Sequence, residues 1–286
     1  MDTRTNQRSL LYFLVQRLLV VGWASVDAAN PLEPANPRSQ PNCARARCRF
    51  NSAVSREKII NMPRKVSIAL AIEFVLFAII LFGSAGALNW VAGWVFMILF
   101  FGCLWLLVLK LAQRDPALLK ERMKMRLPPD QPLWDKILLR SLIVLWLAFL
   151  ILIGLDAGRF HWSRVPAWLQ WVGGAAMLIA FWIFDLTFKE NTFATPVVRI
   201  QKEREHTVIT TGPYSVVRHP LYSGAMLLMP SMALLLGSFY GVIGSLILYM
   251  VLVFRTVMED QTLMRELNGY PEYARRVRYR LIPFVW

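Results

Sequence analysis

Two short stretches hold the residue types that bind charge. The first is GPYSVVRHPLYSG, Gly212 to Gly224. Gly212-Pro213 is turn chemistry, and Pro220 suits the first position of a helix, where an amide hydrogen has no partner anyway. His219 then sits near the cap with Arg218 beside it. A helix starting there turns unpaired N–H groups and the positive end of its dipole toward whatever lies below. That arrangement suits an anion. The alternative is that Arg218 only reaches up to lipid headgroups and His219 only caps the helix.

The second stretch is FRTVMEDQTLMREL, residues 254–267. Helical spacing puts Arg255 and Glu259, four apart, on one face, with Asp260 next to Glu259. Adjacent carboxylates repel each other, so the pair makes sense if a cation is bound, and otherwise as a solvated turn just past a membrane. An apolar hairpin separates the two stretches and brings its ends together. An anion site and a cation site then share one side, which suits a ligand carrying both signs of charge.

The elements that must hold these residues are apolar. The chain has 286 residues, 56% of them hydrophobic, with 11 Trp and 17 Phe, above the apolar share of soluble domains. A hydrocarbon core needs about 20 apolar residues per helix. Candidate segments are Val66 to Phe82, Trp90 to Ala112, Ile137 to Leu155, Ala167 to Phe188, and a shorter pair, Leu221 to Leu236 and Tyr240 to Val257. The expected fold is all-α and polytopic, with about five to six transmembrane helices.

The net charge of +14 is distributed by side rather than gathered for nucleic acid. Connections on one side carry Arg64 and Lys65, six basic residues from Arg114 to Lys136, five from Lys189 to Arg218 and six from Arg255 to Arg280. The opposite connections carry none from Gly83 to Asn89, Arg159 and Arg164, and none from Gly237 to Phe239. This pattern predicts both termini and the charged site on the cytoplasmic side, with membrane lipids rather than nucleic acid as partners. Cys43, Cys48 and Cys103 make no disulfide framework, no histidine lies near the first two, and His161, His206 and His219 are scattered, so no metal site is expected. There is no Gly-rich phosphate loop and no solenoid repeat.

Residues 1–61, rich in Pro, Asn and Arg after one apolar run, are expected to be a poorly ordered extension, and Met62 is a plausible alternative start. Asp115-Pro116 should open a short basic amphipathic helix on the headgroups. Val197 to Ile200 and Thr207 to Thr211 could pair as a small hairpin. Intramembrane acids are expensive unless paired or protonated. Glu73 is therefore either an interhelical contact or part of a substrate path, and Asp185 is expected at the interface. Asn191 could cap, turn or bind a ligand, and His206 reads as a connector residue.

GPYSVVRHPLYSG, the Glu259-Asp260 pair one hairpin later, ENTF at Glu190 to Phe193, RIQKEREHTVITTGPY and the ending YPEYARRVRYRLIPFVW together resemble the isoprenylcysteine carboxyl methyltransferase family. That family lies within a wider group of membrane methyltransferases that includes the phospholipid N-methyltransferases. The resemblance covers roughly residues 187–286, and the earlier part matches only as membrane helices. It implies methyl transfer from S-adenosylmethionine, whose carboxylate, ammonium and sulfonium supply both signs of charge, to a lipophilic acceptor from the bilayer. It implies that Gly212, Pro213, Tyr214, Arg218, His219, Pro220, Tyr222 and Gly224 line the cofactor pocket with Glu259 and Asp260. The family's usual acidic pair is Glu-Glu, so Asp260 is one methylene short. Arg255 would orient a substrate carboxylate or tune the acidic pair, and His219 or Glu259 would take a proton if the acceptor is an amine or alcohol.

Residues 62–188 would then be transmembrane helices with a cytoplasmic amphipathic loop. Residues 189–286 would be the cofactor-binding region, with its hairpin and a C-terminal amphipathic helix, and RLIPFVW folded back on membrane or pocket. Sterol reductases share an Arg-His-Pro-x-Tyr turn and a similar ending, which makes an NADPH-dependent reductase the alternative, but their Lys-Tyr-Gly-x-x-Trp is ELNGYPEYARR here. A non-catalytic membrane protein retaining the fold is a third reading.

Overall fold

The computed structural model describes residues 64–122, 131–194 and 207–286. Within them the regular elements are all helical. They are α1 (Arg64–Ala85), α2 (Val91–Arg114), α3 (Pro116–Arg122), α4 (Leu133–Ile153), α5 (Ala167–Glu190), α6 (Pro220–Leu236), α7 (Phe239–Glu266) and α8 (Tyr270–Arg276). A π-helical turn, Gly154–Phe160, extends α4, and a 3-10 turn, Gly212–Ser215, precedes α6. The expectations for residues 1–61, for Val197 to Ile200 and for His206 lie outside the described residues.

Five helices, α1, α2, α4 with its extension, α5 and α7, are long and apolar enough to cross a membrane. The chain is thus an all-α polytopic membrane protein. A 24-residue helix such as α2 is about 36 Å long, enough to span. The expected short pair is corrected on one side. While α6 is short at 17 residues, α7 has 28, because the helix continues through Glu259 and Asp260 to Glu266 rather than ending at the membrane boundary.

Lipid offers no hydrophobic drive for helix association, so close contact and satisfied polar groups must hold the bundle. Close contact is clearest between α5 and α6. A Cβ on Gly173 would lie 2.7 Å from the Leu235 backbone nitrogen, and one on Gly224 would lie 2.6 Å from the Phe184 ring. Aromatic packing joins α1, α2 and α5: Phe77 stacks on Phe100 at 5.4 Å between centroids, and Phe100 meets Phe181 edge-on at 5.5 Å. Pro230 inside α6 deprives the Met226 carbonyl of its helical donor. The Tyr249 hydroxyl of α7 donates to that carbonyl instead.

Charge inside the bundle is paired or buried. Asp185 accepts from Lys110 at 2.9 Å and Arg114 at 2.8 Å, both on α2, so its charge is paired. Glu73 is only 3% exposed and faces the bundle, not lipid. Asp115 caps α3 by accepting from the Leu118 amide at 2.8 Å, as the Asp-Pro start predicts.

At the end of the bundle opposite the motif residues, one carboxylate ties the connections together. Asp156, fully buried, accepts from the Ser163 amide at 2.8 Å and hydroxyl at 2.6 Å, the Ser238 hydroxyl at 2.5 Å and the Tyr240 amide at 3.3 Å. It joins the α4–α5 loop to the α6–α7 turn, where Ser238 also caps α7 through the Gly241 amide. Asp156→Ala should remove these acceptors and destabilise the fold by on the order of 3 kcal/mol. Scanning fluorimetry in detergent should show a Tm drop of several degrees, and an unchanged Tm would contradict this role.

Candidate functional site

Antiparallel connectivity brings five chain segments to one end of the bundle. They are the first turn of α4, the end of α5, the Gly212 turn with the start of α6, the end of α7, and α8 with the tail. The turn is fixed by Gly212. Its φ of +57° is left-handed, and a Cβ there would lie 2.6 Å from Glu190 Cγ. Glu190 in turn accepts from the Thr211 hydroxyl at 2.6 Å. Asn191 donates to the Tyr214 hydroxyl at 2.7 Å, and the Tyr214 carbonyl accepts from the Tyr273 hydroxyl of α8 at 2.7 Å.

Pro220 opens α6 as expected, with His219 in the cap position. The expected open N-terminus is nevertheless modified by the tail. The Arg218 amide donates to the Tyr279 carbonyl and the His219 amide to the Arg280 carbonyl, each at 2.9 Å. Ser223 donates to the Leu281 carbonyl at 2.6 Å. The tail closes on itself: the amides of Arg280, Leu281 and Ile282 all donate to the Trp286 main-chain oxygen, and the Arg280 guanidinium lies 5.1 Å from the Trp286 ring centroid. The RLIPFVW ending therefore folds back onto the start of α6.

Asp260 is the hub. Arg218 Nη1 donates to both its oxygens, at 3.0 and 2.9 Å, Tyr270 donates at 2.8 Å, Arg280 Nε at 3.1 Å, and His219 Nε2 lies 3.3 Å away. The missing methylene does not shorten its reach, because the partners converge on it. This corrects the separate anion and cation sites read from the sequence: Arg218 and Asp260 neutralise each other in one cluster. Arg218 Nε is buried and has no hydrogen-bond acceptor among the described residues.

Glu259 points elsewhere. Successive helical residues diverge by about 100°, so while Asp260 faces Arg218, Glu259 faces α6 and accepts from the Tyr222 hydroxyl at 2.5 Å. The Tyr222 ring is stacked by His219 at 5.8 Å, with 9° between planes, and the Arg255 guanidinium lies 5.5 Å from its centroid. The expected Arg255–Glu259 pairing is replaced. Arg255 Nε donates at 3.0 Å to Asp135 of α4, which also accepts from Gln131 at 2.8 Å.

Burial sets the tyrosines' chemistry. It pushes the Tyr214 and Tyr273 phenols above their ordinary range, and for Tyr270 the Asp260 carboxylate adds to it. All three therefore stay protonated at neutral pH; Tyr270 donates to Asp260 and Tyr273 to the Tyr214 carbonyl, while the Tyr214 hydroxyl accepts from Asn191. Arg122 of α3, stacked over Phe188 at 4.6 Å and donating to the Ala194 carbonyl, has its pKa lowered by burial to about 10, so it remains a cation beside this site.

Of the residues singled out from sequence, Arg218, His219, Tyr222, Arg255, Glu259 and Asp260 converge, with Gly212, Pro213 and Tyr214 forming the adjoining turn. Gly224 instead packs against Phe184, and Asn191 is engaged with Tyr214. Sequence reasoning missed Asp135, Gln131, Tyr270, Tyr273 and Arg280. Only Tyr270 and Tyr273 had a local signal, the YPEY spacing after Gly269, whose φ is +82°.

Five apolar spans carrying a buried cluster of arginines, acids and tyrosines at one end define a multi-pass membrane protein with a mixed-charge site. Residues 168–269 match the family model described as phospholipid methyltransferase. That stretch is therefore similar to the membrane methyltransferases of the isoprenylcysteine and phospholipid group. No curated protein matches the chain. The matched stretch contains α6, α7 and all the sequence-derived site residues, and it excludes Asp135, Tyr270, Tyr273 and Arg280.

Asp260→Asn should leave Arg218 and Arg280 uncompensated and destabilise the protein by about 3 kcal/mol or more. Arg218→Gln in the same chain should recover part of the loss in Tm. Independent, additive losses from the two substitutions would contradict the hub.

Proposed function

We propose that the protein transfers a methyl group from S-adenosylmethionine to a lipophilic acceptor entering from the bilayer, with isoprenylcysteine carboxyl O-methylation the nearest reaction type. The observation that supports it most is that the turn, the Arg-His-Pro segment and the acidic pair, far apart in sequence, meet within the stretch matching the methyltransferase family. On the basic-residue bias this end is cytoplasmic.

The residues suit this cofactor. Its amino-acid part is a zwitterion, and the cluster offers both signs: the buried Arg218 Nε–H has no acceptor among the described residues, and the half-buried Glu259 carboxylate accepts from the Tyr222 phenol. Arg218, His219 and Tyr222 with the Gly212–Tyr214 turn and Pro220 would hold the carboxylate and adenosine, and Glu259 the positive part. Asp260 would fix Arg218 and His219, and Gly224 would set how closely α6 approaches α5.

The bound cofactor supplies an activated methyl group on sulfur, so the protein's share is alignment, not a nucleophile. Tyr222, clamped between His219 and Arg255, would orient Glu259. A carboxylate acceptor is already ionised and needs no base. An amine or alcohol would lose its proton to Glu259 more readily than to His219, whose Nε2 faces Asp260. Arg255, engaged with Asp135, would act on the acidic pair through Tyr222 rather than on a substrate carboxylate.

Calorimetric titration of the purified protein should show binding of S-adenosylmethionine and not of a reduced nicotinamide dinucleotide phosphate. Glu259→Ala and His219→Ala should each weaken it roughly tenfold or more. Binding of the nicotinamide alone, or of neither, would overturn the proposal.

A further inference from the structure

Arg255 and Glu259 stand four residues apart on α7, the spacing at which an arginine and a glutamate on one helix normally pair. Here the guanidinium turns toward α4 and pairs with Asp135, which is fully buried, while Arg255 is 5% exposed. Gln131 holds the second Asp135 oxygen at 2.8 Å. Arg255 thereby lies across the face of Tyr222, whose hydroxyl is the donor on Glu259. A buried arginine that loses its acid seeks another, and Glu259 is one turn away on its own helix.

We propose that Asp135 is a positioning residue: by engaging Arg255 it keeps the guanidinium over Tyr222 and off Glu259, leaving the Glu259 carboxylate for the positively charged part of the cofactor. The inference rests on the S-adenosylmethionine reading above. It gives α4, which lies outside the family-matched stretch, a part in the cofactor site. It also distinguishes the roles of three acids: Asp260 orders the α6 cap, Glu259 meets the ligand, and Asp135 removes a competitor.

The test is calorimetric titration with S-adenosylmethionine, with Tm recorded separately. Asp135→Asn should weaken binding about tenfold, and Asp135→Glu less, as expected for coupled neighbours. The decisive variant is Asp135→Asn with Arg255→Gln, which should bind more tightly than Asp135→Asn alone because the competitor for Glu259 is gone. A merely structural Asp135 would give no such rescue. Wild-type affinity in Asp135→Asn, or a double variant binding no better, would overturn the inference. If Asp135→Asn does not fold, Gln131→Ala replaces it: weakened binding reversed by Arg255→Gln supports the role, and unchanged binding contradicts it. A wild-type protein that binds no S-adenosylmethionine would remove the cofactor reading and this inference together, whereas binding wild type with unaffected Asp135 variants would remove only the positioning role.

Discussion

The buried carboxylate of Asp260 is the interaction on which the rest of the site depends. A carboxylate 3% exposed at the end of a membrane helix is tolerable only if donors surround it. Those donors come from three places: Arg218 and His219 ahead of α6, Tyr270 on α8 and Arg280 in the tail. Satisfying one charge therefore decides where α6 begins, how α8 turns back, and where the tail lies. The tail's main-chain bonds to Arg218 and His219 then complete the cap. Asp156 plays the corresponding part at the other end, where a single carboxylate joins two loops.

Much of the fold was legible because bilayer physics leaves a strong mark. Long apolar runs became helices, and the Asp115-Pro116 start and the Pro220 helix start appeared where expected. The exception is instructive. The last apolar run stops at Val257 and helical spacing was used only as far as Glu259, yet α7 runs to Glu266. Hydropathy marks where a helix leaves lipid, not where its backbone stops, and Tyr222, Arg218, His219, Tyr270 and Arg280 supply the partners that let it continue.

The site was legible in its membership and not in its pairings. Spacing along one chain suggested Arg255 with Glu259 and an Arg218 free to hold an anion. Both local readings gave way to partners distant in sequence, Asp135 and Asp260. Asp135 carried no signal, since an acid in the first turn of a helix is ordinary. Its meaning arises only when α4 and α7 pack side by side. Gly224, read with the pocket residues, instead sets the distance between α5 and α6, a role that composition could not separate from ligand contact.

The central claim is that the Gly212–Tyr222 segment, the end of α7 and the tail form one cofactor site. Hydrogen exchange of the protein in lipid nanodiscs, followed by mass spectrometry with and without S-adenosylmethionine, tests it most directly. The account predicts slowed exchange in peptides covering residues 212–222, 255–266 and 278–286, and no change around Asp156 and Ser238. Protection absent from those three segments, or centred on the Asp156 end, would contradict it.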